Sequence, residues 1–172
     1  DAVWDVLQTV KDPEIPVVSV VDLGIIQAVE ISADSGAVRI DMTPTFTGCP
    51  ALTMMREEIE QAVLSLGAAS VDVRVVLDPP WSSDRIAPAA REAMRAIGLA
   101  PPPPASRFTS DPSLSLSLAV DTTAAAIEAA SVACPFCGSA DTVTDNPFGS
   151  TLCRSVHYCN ACRQPFEAFK AL

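Results

Sequence analysis

"AVRIDMTPTFTGCPALTMMREEIEQAVLSLG", residues 37–67, holds the transition that sets the fold. Its first third alternates, with Val38, Ile40 and Met42 facing one way and Arg39, Asp41 and Thr43 the other, the period-two pattern of a half-buried strand. From Leu52 the period changes. Leu52, Met55, Ile59, Val63 and Leu66 recur at helical spacing, and Gly67 stands where a helix C-terminal cap belongs. A strand running into an amphipathic helix implies a sheet covered by helices.

Upstream, "AVWDVLQTV" (2–10) places Val3, Val6, Leu7 and Val10 on one helical face, and "DPEIP" (12–16) stops that helix, since proline cannot continue it. "LGIIQAVEIS" (23–32) reads as a strand with Ile25, Val29 and Ile31 sharing a face, and Asp34-Ser35-Gly36 turns it into the 37–42 strand as a hairpin. Downstream, "SVDVRVVL" (70–77) is a third strand whose Val71, Val73, Val75 and Leu77 form the expected buried row. "DPPWSSD" (78–84) is a turn, and a last helix carries Ile86, Ala90, Ala93, Met94 and Ile97, with Pro88 near its first turn. The order α-β-β-α-β-α over residues 1–100 predicts a small α/β (α+β) domain: a mixed three-stranded sheet with covering helices.

Residues 101–133 change character: Pro101–Pro104 form a stiff spacer, and the rest is rich in Pro, Ser and Ala. They read as a linker with local order, although "SLSLSLAV" (113–120) alternates and could add an edge strand to a neighbour. The 172 residues allow one to two domains, and 49% hydrophobic with 19% charged residues is globular composition. A net charge of −10 argues against nucleic acid, whose phosphates need clustered Lys and Arg. No stretch approaches the ~20 apolar residues of a membrane span, and no export signal is visible, so the expectation is cytoplasmic with reduced thiols.

Residues 134–172 hold five of the six cysteines. Cys134-x2-Cys137 and Cys159-x2-Cys162 are two knuckles, each a tight turn aiming two thiolates at one ion, and Gly138 supplies a positive φ after the first. The 21 residues between them leave room for two short strands, which makes a zinc-ribbon-like β domain holding Zn2+, or alternatively iron or an iron–sulfur cluster. About forty residues provide too little core to fold alone, so the metal is also the structural explanation. Cys153 and His157 lie between the knuckles as a buried thiol and a surface imidazole, or as accessory ligands. His157 is the only histidine, which removes a His-based dyad from the first domain.

Cys49 stands apart. Pro50 suits a first helical turn, which puts Cys49 at or next to the N-cap, where free N–H groups and the macrodipole would lower the thiol pKa. Thr45 and Thr47 add hydroxyls. The residues fit a reactive or metal-binding thiolate and an inert cysteine under the helix equally well.

"DPEIP" (12–16), "VVDLGII" (20–26) and "TPTFTGCP" (43–50) resemble the small α/β domain of SufT-type iron–sulfur cluster assembly factors. "CPFCGS…FGSTLCRSVHYCNACRQPFEAFK" is similar to the tail of the PaaD-type accessory branch of bacterial phenylacetate degradation. The resemblance implies a maturation role without catalysis, serving an iron–sulfur client, the reductase subunit of the multicomponent phenylacetyl-coenzyme A epoxidase. It implies that Cys49 is the family's functional cysteine, holding a cluster transiently, with ligands from the client or a second subunit in a homodimer. Asp12, Glu14 and Asp22 match motif positions, with turn-capping as their reading, and the family's further cysteine after "FEAFK" is absent here. The alternative role is a non-catalytic zinc-ribbon scaffold or subunit of that complex.

Overall fold

A computed structural model describes residues 2–46, 48–103 and 132–170. Thr47 and the alternating 113–120 stretch lie outside the described residues. The chain divides after Ile97 into two compact units.

The first unit runs α1 (Ala2–Leu7), β1 (Ile26–Ile31), β2 (Ala37–Met42), α2 (Leu52–Leu64), β3 (Ser70–Val75) and, after a 3-10 turn at Ser83–Arg85, α3 (Pro88–Ala96). The sheet order is β1-β2-β3. β1 and β2 pair antiparallel through the Asp34–Gly36 turn, with a bulge between Ile26 and Ala28. β2 and β3 pair parallel, which requires a crossover, and α2 supplies it. The mixed three-stranded sheet with helices is therefore the architecture expected. Leu7, Ile15, Leu23, Ile40, Met42, Ile59 and Met94 are sealed in its core.

Several side chains depart from the expected pattern. Thr43, assigned to the polar face, is buried, and its hydroxyl is satisfied there by a 2.6 Å hydrogen bond from Gln27 Nε2. The bulge in β1 breaks the alternation and puts Ile26, opposite buried Met42, on the core face; Ile25, just before the strand, is also buried, while Ile31 is exposed at the strand end. Of the row expected on β3, Val73 is buried, whereas Val75 and Leu77 are exposed, since β3 is an edge strand and Leu77 lies past its end. Leu66 and Ile97 are exposed because each falls just beyond its helix. Trp81, read as part of a turn, is 6% exposed and donates its Nε1–H to the Leu23 carbonyl at 3.0 Å. A ring and a hydrogen bond thus fix a stretch that carries no periodic signal.

The second unit is a four-stranded sheet of β4 (Leu99–Ala100), β5 (Thr142–Asn146), β6 (Arg154–Cys159) and β7 (Pro165–Phe169), in the order β4-β7-β6-β5. β5, β6 and β7 form an antiparallel meander, and β4 adds to β7 in parallel. β4 corrects the expected boundary. Leu99 and Ala100, assigned to the first domain by the 1–100 reading, pair with β7 in the second sheet. A two-residue strand is too short to show a period.

Candidate metal centre and thiol site

The knuckles are built by backbone hydrogen bonds. In the first, Gly138 N donates to Cys134 O at 2.9 Å and Cys134 N to Ser139 O at 2.9 Å. In the second, Arg163 N donates to Cys159 O at 2.8 Å and Cys159 N to Gln164 O at 3.0 Å. The two turns match residue for residue, down to the position after the second cysteine: Gly138 has φ +73° and Arg163 φ 59°. Glycine takes that conformation without cost, whereas arginine occupies it against its Cβ. The glycine was visible in the sequence; its arginine counterpart was not.

The result is a cage of sulfur. Cys134 Sγ and Cys162 Sγ are 3.7 Å apart, Cys137 Sγ and Cys159 Sγ 3.6 Å, and all four lie within 4.8 Å of one another. A tetrahedron of metal–sulfur bonds of about 2.3 Å has edges of about 3.8 Å. The donor set and its spacing therefore fit a tetrahedral ion, and the four cysteines form a metal-binding site. All six cysteines are free thiols, so no disulfide competes. Electrostatics point the same way. The Cys162 N–H, followed by the neighbouring thiols and the Ala161 N–H, lowers the Cys159 thiol to about 7. Burial, then the adjacent sulfurs of Cys159 and Cys137, pushes Cys162 up to about 12. Four crowded sulfurs cannot all ionise alone; a bound cation reverses that.

Cys153 and His157 stand outside this group of four. Cys153 is buried with its Sγ 3.1 Å from Thr151 Oγ1. His157, expected at the surface, is 6% exposed: β6 turns it inward, where it stacks on Phe166 with ring centroids 5.4 Å apart. Its Nε2 is 2.8 Å from Ser155 Oγ, and burial lowers its pKa. Across the sheet, Glu167 accepts from Arg154 at 2.9 Å and from the Ser150 N–H at 2.8 Å, tying the 147–153 loop to β6 and β7.

In the first unit, α2 begins at Leu52 with Ala51 as N-cap, so Cys49 precedes the helix by two more residues than a Pro50 start implies. Cys49 is half-buried, and its own N–H donates to Phe46 O at 3.1 Å. The Ala51 and Leu52 N–H groups do reach the sulfur and favour the thiolate. They lose. Burial above all, with the nearby Glu14 and Asp12 carboxylates, raises the thiol pKa instead of lowering it. The helix terminus acts as expected, but it is outweighed by burial and by charges from a distant stretch that local reading could not place beside Cys49.

Asp12 caps its own turn, its Oδ1 accepting from Glu14 N at 2.7 Å and Ile15 N at 2.9 Å. Asp22 is engaged similarly, with Ser19 Oγ 2.7 Å from its Oδ2 and Gln8 Nε2 donating to its Oδ1 at 3.3 Å. Thr45 is half-buried and makes no hydrogen bond to Cys49 among the described residues.

No helix among the described residues is long and apolar enough to cross a membrane. Residues 1–75 match the family described as "Iron-sulfur cluster assembly protein", and residues 119–170 match the "PaaD zinc beta ribbon domain". The chain is 34% identical over 170 residues to an Escherichia coli protein named as a component of a "putative 1,2-phenylacetyl-CoA epoxidase", covering 99% of this chain and 92% of that one. It is 40% identical over 93 residues to an Fe-S protein maturation auxiliary factor of Porphyromonas gingivalis, covering 54% of this chain and 84% of the relative. A crystal structure of a domain of unknown function from Bacillus anthracis superposes with a TM-score of 0.50 at 29% identity, over 54% of this chain and 87% of that one. With both domain families matched in order, and a relative aligned almost from end to end, the chain belongs to the family that joins an iron–sulfur cluster assembly domain to a PaaD-type zinc β ribbon.

Proposed function

We propose that the chain is a non-catalytic accessory factor in the maturation of an iron–sulfur protein, with its labour divided between the two units. Residues 1–97 form the assembly domain and Cys49 is its working thiol, with Thr45, Thr47 and Asp22 as the accompanying candidate residues. The ribbon holds one Zn2+ through Cys134, Cys137, Cys159 and Cys162 and recognises the client. The observation that carries this reading is the completeness of the sulfur cage: four soft ligands within 4.8 Å leave no open coordination position, so cargo needs another sulfur. Cys49 is that sulfur. One thiol cannot close a cluster by itself, so the remaining ligands come from the client or from a second copy of the chain.

The names of the relatives support an iron–sulfur client, and the E. coli relative points to the epoxidase system, whose reductase subunit is the client proposed. Reduced thiols fit a cytoplasmic setting. A scaffold role, with Cys49 structural, is favoured by one observation, the raised thiol pKa. The test is Cys49→Ser in the full chain, read by client binding and client cluster content. The variant should bind the client and leave it under-loaded. A fully loaded client would mean that Cys49 is not the working thiol, and the scaffold reading would win.

A further inference from the structure

β4 is covalently next to the first unit but folds with the second. Only Ile97 and Gly98 separate the end of α3 from Leu99. Ala100 and Cys134 are 34 positions apart in the sequence, so no tight loop enforces the pairing of β4 with the ribbon. Two residues of parallel strand, Leu99 opposite Glu167 and Ala100 opposite Ala168, are little to hold a strand in place. Further anchorage comes from the metal-binding knuckles.

Ala100 is fully buried in a cluster made by Cys134, Cys159, Phe166 and Ala168, with Cys162 and Val132 packed against it. Three of those residues belong to the sulfur cage. The second anchor is Phe136, which lies inside the first knuckle. Its ring covers Gly98, and a Cβ there would stand 3.0 Å from Phe136 Cε1 and 3.1 Å from Cζ. Gly98 also has φ +81°, a conformation that side-chain-bearing residues rarely adopt. Both anchors therefore include residues of the turns that the ion would hold.

We infer that the ribbon's metal latches the junction between the two units: the bound ion keeps β4 in the second sheet, and its loss releases residues 98–100 into the connection. The loaded chain then has a connection of two residues between α3 and the ribbon sheet, and release of β4 lengthens that connection. A longer tether lowers the effective concentration of one unit near the other's client, so metal loading sets whether the two units act together. Linkage makes the effect reciprocal, and weakening β4 must weaken metal retention.

The inference rests on the ribbon holding a metal, so stoichiometry is measured first on the full chain loaded with Zn2+. Hydrogen exchange is then followed with and without a chelator. Amides over 98–100 should be protected in the loaded chain and lose protection together with 154–169 on chelation, while 52–64 keep theirs. Gly98→Val, which meets both the left-handed φ and the Phe136 ring, should speed zinc transfer to a chromophoric chelator about tenfold. Ile97→Val, at an exposed side chain, should leave the transfer rate unchanged. A loaded chain whose 98–100 protection is indifferent to chelation, or a Gly98→Val chain that transfers zinc at the wild-type rate, overturns this inference alone. A chain that takes up no zinc overturns the metal reading as well.

Discussion

Replacing Trp81 by phenylalanine should cost the first unit about 2–4 kcal/mol of stability. Two losses make up that figure. The indole N–H is the donor to the Leu23 carbonyl at 3.0 Å, and Leu23 is fully buried, so no water replaces it. An orphaned buried acceptor costs about 1–3 kcal/mol. The ring also shrinks by roughly 40 Å2 of buried apolar surface, about 1 kcal/mol at ~25 cal/mol/Å2. Trp4 is the only other tryptophan and lies in α1, so in the variant its fluorescence reports on the first unit alone. Urea unfolding followed at that wavelength, beside far-UV circular dichroism, yields the difference. A loss below about 0.5 kcal/mol would mean that the 78–84 segment is held some other way and that Trp81 does not pin the turn around Leu23.

Ile59→Ala, at a fully buried position of α2, should destabilise the first unit by about 3–4 kcal/mol in the same assay, whereas Val75→Ala on the exposed edge should cost under about 1 kcal/mol. Cys49 should alkylate more slowly at pH 7 than a thiol in the unfolded chain, because its raised pKa keeps it protonated; Glu14→Gln removes a nearby anion and should speed it. Arg163→Gly should stabilise the zinc-loaded ribbon by up to about 1 kcal/mol, read as a shift in its thermal midpoint, by relieving a left-handed arginine. Glu167 has a lowered pKa: burial opposes ionisation, but the Ser150 N–H and Arg154 outweigh it. Its contribution is therefore present above the unfolded carboxylate pKa and lost as pH falls through the lower folded value, and Glu167→Gln should remove that slope from a stability–pH curve.

The strands and helices that have length and period were legible in the sequence. α2 and β2 announce themselves because Met55, Ile59 and Val63, or Val38, Ile40 and Met42, repeat at one spacing long enough to count. The four-cysteine cage was legible for a different reason, since knuckle spacing is a local constraint set by the ion's size. What escaped depends on residues far apart in the chain. β4 needs a partner strand from the far side of the linker, Trp81 needs the Leu23 carbonyl, and His157 is buried because β7 brings Phe166 against it. Cys49 is the clearest case. Its favourable N–H groups are two and three residues away and could be anticipated, while Asp12 and Glu14 reach it only through the fold.

Two sulfur sites with separate duties, a closed cage and a single working thiol, should be separable by mutation. The decisive experiment is metal analysis with visible absorption on anaerobically purified wild type, Cys49→Ser and Cys134→Ser. One zinc per chain should appear in wild type and in Cys49→Ser, and fall in Cys134→Ser; any brown iron–sulfur absorption should vanish with Cys49→Ser alone. Brown absorption that survives Cys49→Ser and disappears with Cys134→Ser would place the cargo in the ribbon and contradict the division of labour.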